Sequence, residues 1–167
     1  MIFAAVPGDF WGNRDTPAPR PQRGQPCPAP PPPTPEDFPA WTADRLRYCD
    51  TDRQGHINNA VFATFCESGR TSLLFEEGAP ISPPGTAWVI ARLELDFRSE
   101  LNWPGEVEIG TAVKSIGGSS IVLRQGMFKD GVCAADAQTV IVLMDEASRK
   151  SAPLPPELRA RLEKLKA

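Results

Sequence analysis

The apolar positions of this 167-residue chain change period along its length. From about Asn59, the residues Phe62, Phe65, Cys66, Gly69, Leu73 and Leu74 recur at three- and four-residue spacing, which predicts an amphipathic helix. Asn58 is a reasonable N-cap. Glu76-Glu77-Gly78 reads as the end, with Gly78 able to take the left-handed conformation past the last turn. Such a helix has about 19 residues and a length of roughly 28 Å. Gly69 in its middle costs about 1 kcal/mol against Ala, and the expected compensation is close approach to whatever the helix packs on. Residues 79–85 (APISPPG) cannot continue it. The period then becomes two. Residues 87–98, 106–115, 120–128 and 132–144 read as four strands, joined by short connections at 102–105, 117–119 and 129–131 that predict antiparallel hairpins. A partly alternating run at 41–48 is an expected first strand. Residues 153–166 hold an expected C-terminal helix with Leu158, Leu162 and Leu165 on one face.

Strand, long helix, four antiparallel strands: this order predicts an α+β domain. A sheet of four to five strands is about 20–24 Å wide, so the helix is long enough to cross it. One long helix wrapped by one curved antiparallel sheet of about five strands buries both apolar faces.

Composition changes the picture at the N-terminus. Residues 1–40 hold 12 of the 19 prolines and no sustained apolar period, so 1–38 is expected to be a proline-rich disordered extension and 39–167 the folded domain. The extension is a solvated tail, the result of a start codon assigned too far upstream, or a ligand for a proline-recognising module. An inert tail would leave activity unchanged on deletion. The opening MIFAAVPGDFW lacks the basic start and long apolar stretch of a signal peptide, and no run approaches the ~18 apolar residues of a membrane span. A cytoplasmic protein without membrane contact is the expectation. The net charge of −3 argues against nucleic acid as a partner but not against an anionic small ligand. Cys27, Cys49, Cys66 and Cys133 are scattered, and with one histidine they form no plausible metal set. No metal or other cofactor is expected.

The candidate chemistry lies just before the helix. Asp50, Asp52, His56, Asn58 and Asn59 fall within ten residues. A helix N-terminus offers unpaired backbone N–H groups and about half a positive charge, so it can hold an anion or a developing oxyanion. Asp52, seven residues before Asn59, is placed to activate a water or to attack a carbonyl, with His56 and Asn58 orienting water or substrate. That set suits acyl transfer to water. The bland alternative is that the aspartates satisfy turn amides, that the histidine is structural and that Asn58 only caps the helix.

Tyr48-Cys49-Asp50-Thr51-Asp52, then Gly55-His56-Ile57-Asn58-Asn59 and an aromatic-rich helix, resemble the signature of the hotdog-fold 4-hydroxybenzoyl-CoA thioesterase family. The GHINN segment is closer to the related acyl-ACP and long-chain acyl-CoA thioesterases. Leu95-Asp96-Phe97-Arg98 followed by Pro104-Gly105 resembles the family's second strand and the turn after it, and the resemblance covers about residues 41–148. It implies a hotdog fold, a homodimer or homotetramer with sites at subunit interfaces, and an acyl-CoA or acyl-ACP substrate. It further implies Asp52 as the catalytic carboxylate, His56 and Asn58 as its polar assistants, and the Asn59 backbone N–H as the oxyanion hole. Gly55, Phe62 and Arg98 are the expected substrate-binding residues. Phe62 stands where relatives commonly carry Tyr, and Asn59 where many carry His. Hotdog dehydratases have an Asn-Pro that this chain lacks. Arg92, Arg98, Arg124 and Lys129 are candidates for the CoA phosphates, and Phe62, Phe65 and Trp88 for an acyl pocket, though solvated strand positions and plain core are the more ordinary readings of such residues. The leading function is thioester hydrolysis. The alternative is a non-catalytic acyl-thioester binding or interaction domain on the same fold.

Overall fold

In the computed structural model, residues 31–76 and 79–166 are described. The strand pattern folds much as the alternation predicts. Strand β1 (Ala40–Arg45) is followed by the helix α1 (Asn59–Leu74). After it come a two-stranded pair, β2 (Phe75–Glu76) and β3 (Ala79–Pro80), and four long strands. These are β4 (Thr86–Phe97), β5 (Glu106–Ile116), β6 (Ser120–Lys129) and β7 (Val132–Asp145), with α2 (Pro156–Glu163) closing the chain. Each predicted long strand lies within one residue of its observed bounds at either end, because strict alternation leaves little freedom in where a face begins and ends. The first strand is shorter than the run at 41–48. Past Arg45 the chain bends, Leu46 is buried, and Tyr48–Asp50 forms a 3₁₀ turn.

Strand β1 and the four long strands make one antiparallel sheet in the order β1-β5-β6-β7-β4. Here the expected hairpin at 102–105 does not form: β4 pairs with β7, not with β5. Residues 98–105 instead cross the end of the sheet. The eight-residue segment reaches up to about 26 Å extended, more than the three strand spacings, about 14 Å, between β4 and β5. Leu101 in this crossover is buried in the core and its carbonyl accepts from the Ile57 N–H at 2.8 Å. The crossover therefore becomes the floor beneath the Asp52 loop.

Helix α1 packs on β1, β5 and β6. Its buried residues are Phe62, Phe65, Cys66, Gly69, Leu73 and Leu74, the six positions of the sequence pattern. The helix is 16 residues long, shorter than expected, at roughly 24 Å. It ends because Phe75 is extended and starts the β2–β3 pair; Gly78 lies outside the described residues. The close approach expected at Gly69 is present. A Cβ there would sit 2.5 Å from Gln125 Nε2 and 2.8 Å from Ile109 Cγ2. Gln125 is fully buried; its amide donates to the Cys66 carbonyl at 2.9 Å and its carbonyl accepts from Thr139 Oγ1 at 3.2 Å. This amide ties the helix backbone to two strands, since a buried polar side chain has to find partners. Two apolar clusters lie between helix and sheet, one around Phe62, Phe65 and Met127, the other around Leu73, Ile121 and Leu143, with Leu158 and Leu162 of α2 in the second.

On the outer face of the sheet, residues 35–38, assigned to the extension on composition, pack with the domain. Pro35–Asp37 form a 3₁₀ turn and Phe38 is buried against Phe128 and Ala112. Its ring fills a slot left by the cross-strand pair Gly110 and Gly126, where added Cβ atoms would lie 2.6 and 2.7 Å from it. Residues 1–30 lie outside the described residues. Among the described residues no helix is long and apolar enough to cross a membrane.

Candidate active site

The loop from Asp50 to Asn58 is pinned at both ends by Asp50. Its carboxylate accepts from Arg47 Nη2 at 2.8 Å, Arg47 Nε at 2.9 Å and the Arg47 backbone N–H at 3.0 Å, and its carbonyl accepts from the Asn58 N–H at 2.9 Å. The hydrogen bond from Arg47 holds the Asp50 carboxyl below its ordinary value, against the opposing effect of burial. A lowered carboxyl means that the unfolded chain binds more protons, so this stabilisation is complete above the ordinary carboxylate range and is lost as pH falls through and below it. The stability gap between wild type and Asp50→Asn, read as the difference in Tm, is therefore expected to be open at neutral pH and to close below about pH 4. A gap that stays constant down to strongly acidic pH contradicts this role.

Asp52 is arranged differently. Its Oδ1 accepts from the N–H groups of Gln54 at 2.7 Å and His56 at 3.2 Å, closing the turn in which Gly55 takes φ +89°. Among the described residues nothing donates to Oδ2. Asn58 caps the helix, its Oδ1 accepting from the Ala60 N–H at 3.0 Å, while its carbonyl takes the Val61 N–H at 2.9 Å. The N–H of Asn59, first residue of the helix, has no partner among the described residues. His56 Nε2 lies 3.2 Å from Glu100 Oε2 on the crossover.

Asp52, His56, Asn59, Phe62 and Arg98 line one cavity of about 340 Å³, together with Gln54, Ile57, Phe97, Ser99, Glu100 and Leu101. Of the predicted site residues, Gly55 and Asn58 are not on its wall: one shapes the loop, the other the helix start. Arg98 donates from Nε to Asp136 Oδ1 at 2.7 Å, and its buried Nη2 has no partner among the described residues. Arg98 also lines an adjoining cavity of about 680 Å³ with Asn102 and Lys129, whose ammonium donates to the carbonyls of Asn102 and Pro104 at 2.5 and 2.9 Å. Arg92 is paired with Glu94 on the exposed face of β4. Arg124 lies over the Phe38 ring and 3.6 Å from Asp37. Phe65 is core and Trp88 lines a different cavity.

Sequence reasoning missed three contributors. Arg47 stands three residues before Asp50, a local spacing that would have separated the two aspartates. Phe97, the last residue of β4, stands edge-on to Phe62 at 5.1 Å between ring centres, and Glu100 reaches the site through the crossover; nothing near either in sequence announces it. The assembled site holds a carboxylate with one open oxygen, an open N–H at a helix start, and an aromatic wall. It can take up a polarised carbonyl and attack it with water or carboxylate.

A family model of the thioesterase-like superfamily matches residues 46–162. The chain is 25% identical over 124 residues to the acyl-CoA thioester hydrolase YbgC of Escherichia coli, a match covering 71% of this chain and 92% of that one. It is 24% identical over 126 residues to the acyl-CoA thioesterase YbgC of Haemophilus influenzae, covering 73% and 93%. The crystal structure of the PA5185 protein of Pseudomonas aeruginosa superposes with a TM-score of 0.74 at 25% identity, covering 82% of this chain and 98% of that one. With a curved five-stranded antiparallel sheet around one central helix, the chain belongs to the thioesterase-like superfamily as a hotdog-fold thioesterase, and acyl-CoA thioester hydrolysis is the activity supported at the level of the family.

Proposed function

We propose that this chain hydrolyses acyl-CoA thioesters at the 340 Å³ cavity, with Asp52 as catalytic carboxylate and the Asn59 N–H as oxyanion donor. The observation that carries the reading is the pairing, on one cavity wall, of the unengaged Asp52 Oδ2 with an unengaged N–H at the start of α1. At the start of α1 the unpaired N–H and the positive end of the helix dipole stabilise a developing oxyanion with no rearrangement of side chains. Asp52 either takes a proton from the attacking water or attacks the carbonyl itself, giving a mixed anhydride that water opens. Each route ends in a free acid and a free CoA thiol. His56, held toward Glu100, orients the water, and Asn58 acts through the helix start that it caps. Phe62 and Phe97 form the first wall of an acyl pocket, and the Arg98 guanidinium and Lys129 border the adjoining cavity through which the carrier enters. The relatives named as acyl-CoA hydrolases support CoA as the carrier.

The assembly belongs to the same reading. Among the described residues, strand β4 pairs with β7 on one side only and its other edge is open over 12 residues, with Ile90 and Phe97 exposed. A long, partly apolar open edge is a template for another strand. We infer a homodimer through isologous β4 pairing, which brings the partner beside the Phe62–Phe97 wall.

Incubation with a panel of short, long and aromatic acyl-CoAs, with free thiol as the readout and the mass in solution determined on the same sample, tests both statements. Release of thiol from at least one class and a mass of two or more chains is expected. Binding without thiol release favours the non-catalytic domain, and a monomer mass at micromolar concentration removes the interface.

A further inference from the structure

The crossover carries a second feature that the mechanism does not use. Tyr48 and Trp103 meet edge to face, with ring centres 5.6 Å apart and planes at 77°. Both are open to solvent, Tyr48 at 74% and Trp103 at 46%. A single exposed ring is ordinary, but two in contact with each other and left in water form a patch, and such a patch marks a binding surface. Tyr48 is also the first residue of the aspartate motif, and the chemistry at Asp52 gives it no part.

Beneath the rings the backbone is held. Lys129 donates to the carbonyls of Asn102 and Pro104, one on each side of Trp103, at 2.5 and 2.9 Å. The Tyr48 carbonyl accepts from the Thr51 hydroxyl at 2.8 Å and from the Thr51 N–H at 3.2 Å. The Leu46 N–H donates to the Gly105 carbonyl at 3.0 Å and ties the two segments together. Two rings near a right angle on a fixed backbone make a corner, with a face to stack on and an edge to stop against. Seating a flat ring there costs the protein little ordering.

The corner stands beside the active site. Asn102, next to Trp103, forms an antiparallel bridge with His56, and His56 lines the Asp52 cavity. Bridge geometry puts the Trp103 Cα within about 9 Å of the His56 Cα. The adjoining cavity shares Arg98, Ser99, Glu100 and Leu101 with the Asp52 cavity and reaches Asn102 and Lys129. An ammonium has three N–H donors. Lys129 places two on the carbonyls that flank Trp103 and keeps one for a phosphate oxygen. The corner is also clear of the open sheet edge. Residues 102–105 lead into β5, which lies three strand spacings, about 14 Å, from β4.

We propose that Tyr48 and Trp103 form the subsite for the adenine ring of an acyl-CoA substrate. The assignment rests on the acyl-CoA reading for its ligand and on the aromatic corner for its place. Glu100 and Asp130 offset Arg98 and Lys129 around the adjoining cavity, so stacking, not net charge, carries the recognition. The pantetheine arm runs from the Asp52 cavity along the shared wall, with the pyrophosphate at Lys129. A thioester on a carrier protein has the same phosphopantetheine arm and no adenine, so the corner selects CoA.

The test compares kcat/KM of the full chain for one acyl group carried on CoA, on dephospho-CoA and on 4′-phosphopantetheine. The CoA thioester is expected to exceed the phosphopantetheine thioester by about 5- to 150-fold, the worth of one base stacked on an aromatic ring. The dephospho-CoA thioester, which lacks only the 3′-phosphate, is expected to keep that advantage. Trp103→Ala and Tyr48→Ala should each bring the CoA-to-phosphopantetheine ratio toward one, and Trp103→Phe and Tyr48→Phe should retain most of it. A merely structural role lowers both substrates together and leaves the ratio alone. A ratio near one in the wild type overturns the proposal. So does a ratio that survives both alanine variants, or an advantage lost with the 3′-phosphate. Alanine variants that change mass in solution with the ratio intact overturn it in favour of a subunit contact. Calorimetry with free CoA and free 4′-phosphopantetheine separates this inference from the hydrolase reading. A preference for CoA that Trp103→Ala abolishes, with no thioester cleaved, supports the corner and counts against hydrolysis alone. Hydrolysis without that preference counts against the corner alone.

Discussion

Asp52→Asn is expected to lower kcat for acyl-CoA hydrolysis by about 10²–10⁴-fold, the usual worth of a positioned acid–base group, while Tm stays within a degree or two of wild type. The substitution separates two roles of one side chain. The amide oxygen of Asn accepts hydrogen bonds as Asp52 Oδ1 does, so the bonds from Gln54 and His56 at 2.7 and 3.2 Å persist and the turn holds its shape. What disappears is the negative charge of a carboxylate that lines the cavity and whose Oδ2 has no partner among the described residues. KM should change little, because the contacts that seat the acyl group, Phe62 and Phe97, are untouched. A fall in kcat with KM preserved is the signature of an interaction made in the transition state. Thiol release under saturating substrate, with a thermal melt of the same preparation, gives both numbers. Turnover near wild type, or a loss of turnover that merely tracks a loss of fold, removes Asp52 from the chemistry.

The residues of this pair were legible in sequence because they are local. Asp52 and Asn59 lie on one loop and the first turn it feeds, and a helix start exposes its N–H groups whatever the rest of the fold does. The helix's buried face was legible for the same reason, as were strands with strict alternation. What escaped depends on distant partners. The helix stops at Leu74 because Phe75 pairs with Pro80, and no residue at the junction forces a stop. The connection from β4 to β5 has the length and the Pro-Gly of a turn, yet Leu101 goes into the core and Ile57 bonds to its carbonyl, so the segment crosses the sheet. Glu100 enters the site only by that crossing, and Phe97 only because the end of β4 meets the first turn of α1. Phe38 sits in a proline-rich stretch, and what buries it is a glycine pair some 70 and 90 residues further on, at Gly110 and Gly126. Arg47 is the exception, a local partner that was in view: its spacing to Asp50 distinguishes a structural carboxylate from a free one.

Gly69→Ala should be the most damaging conservative change in the helix, although intrinsic propensity favours Ala there by about 1 kcal/mol. The new methyl would stand 2.5 Å from Gln125 Nε2, 2.8 Å from Ile109 Cγ2 and 2.9 Å from Thr111 Oγ1. Two of these contacts belong to side chains fixed in mid-strand, so the helix must lift or the Gln125 amide must leave. Overpacking costs about 1–3 kcal/mol. A displaced Gln125 gives up its bond to the Cys66 carbonyl and, buried, finds no water in exchange, at about 1–3 kcal/mol more. Set against the gain in propensity of about 1 kcal/mol, the net loss is about 1–5 kcal/mol, or about 3–25 °C in Tm for a domain of this size. A raised Tm would show that the helix lies further from the sheet than these distances state. Pairing the change with Gln125→Ala should recover part of the loss, because it deletes the closest contact while leaving Ile109 and Thr111 in place. The effect reaches the active site along the helix itself. Asn59 and Phe62 ride on the element that has to lift, and a displacement of about 1 Å at a reacting centre can cost about a hundredfold in rate. The folded fraction of Gly69→Ala should therefore show a lower kcat than wild type even well below its melting temperature, whereas a purely local packing defect would leave kcat per folded molecule unchanged.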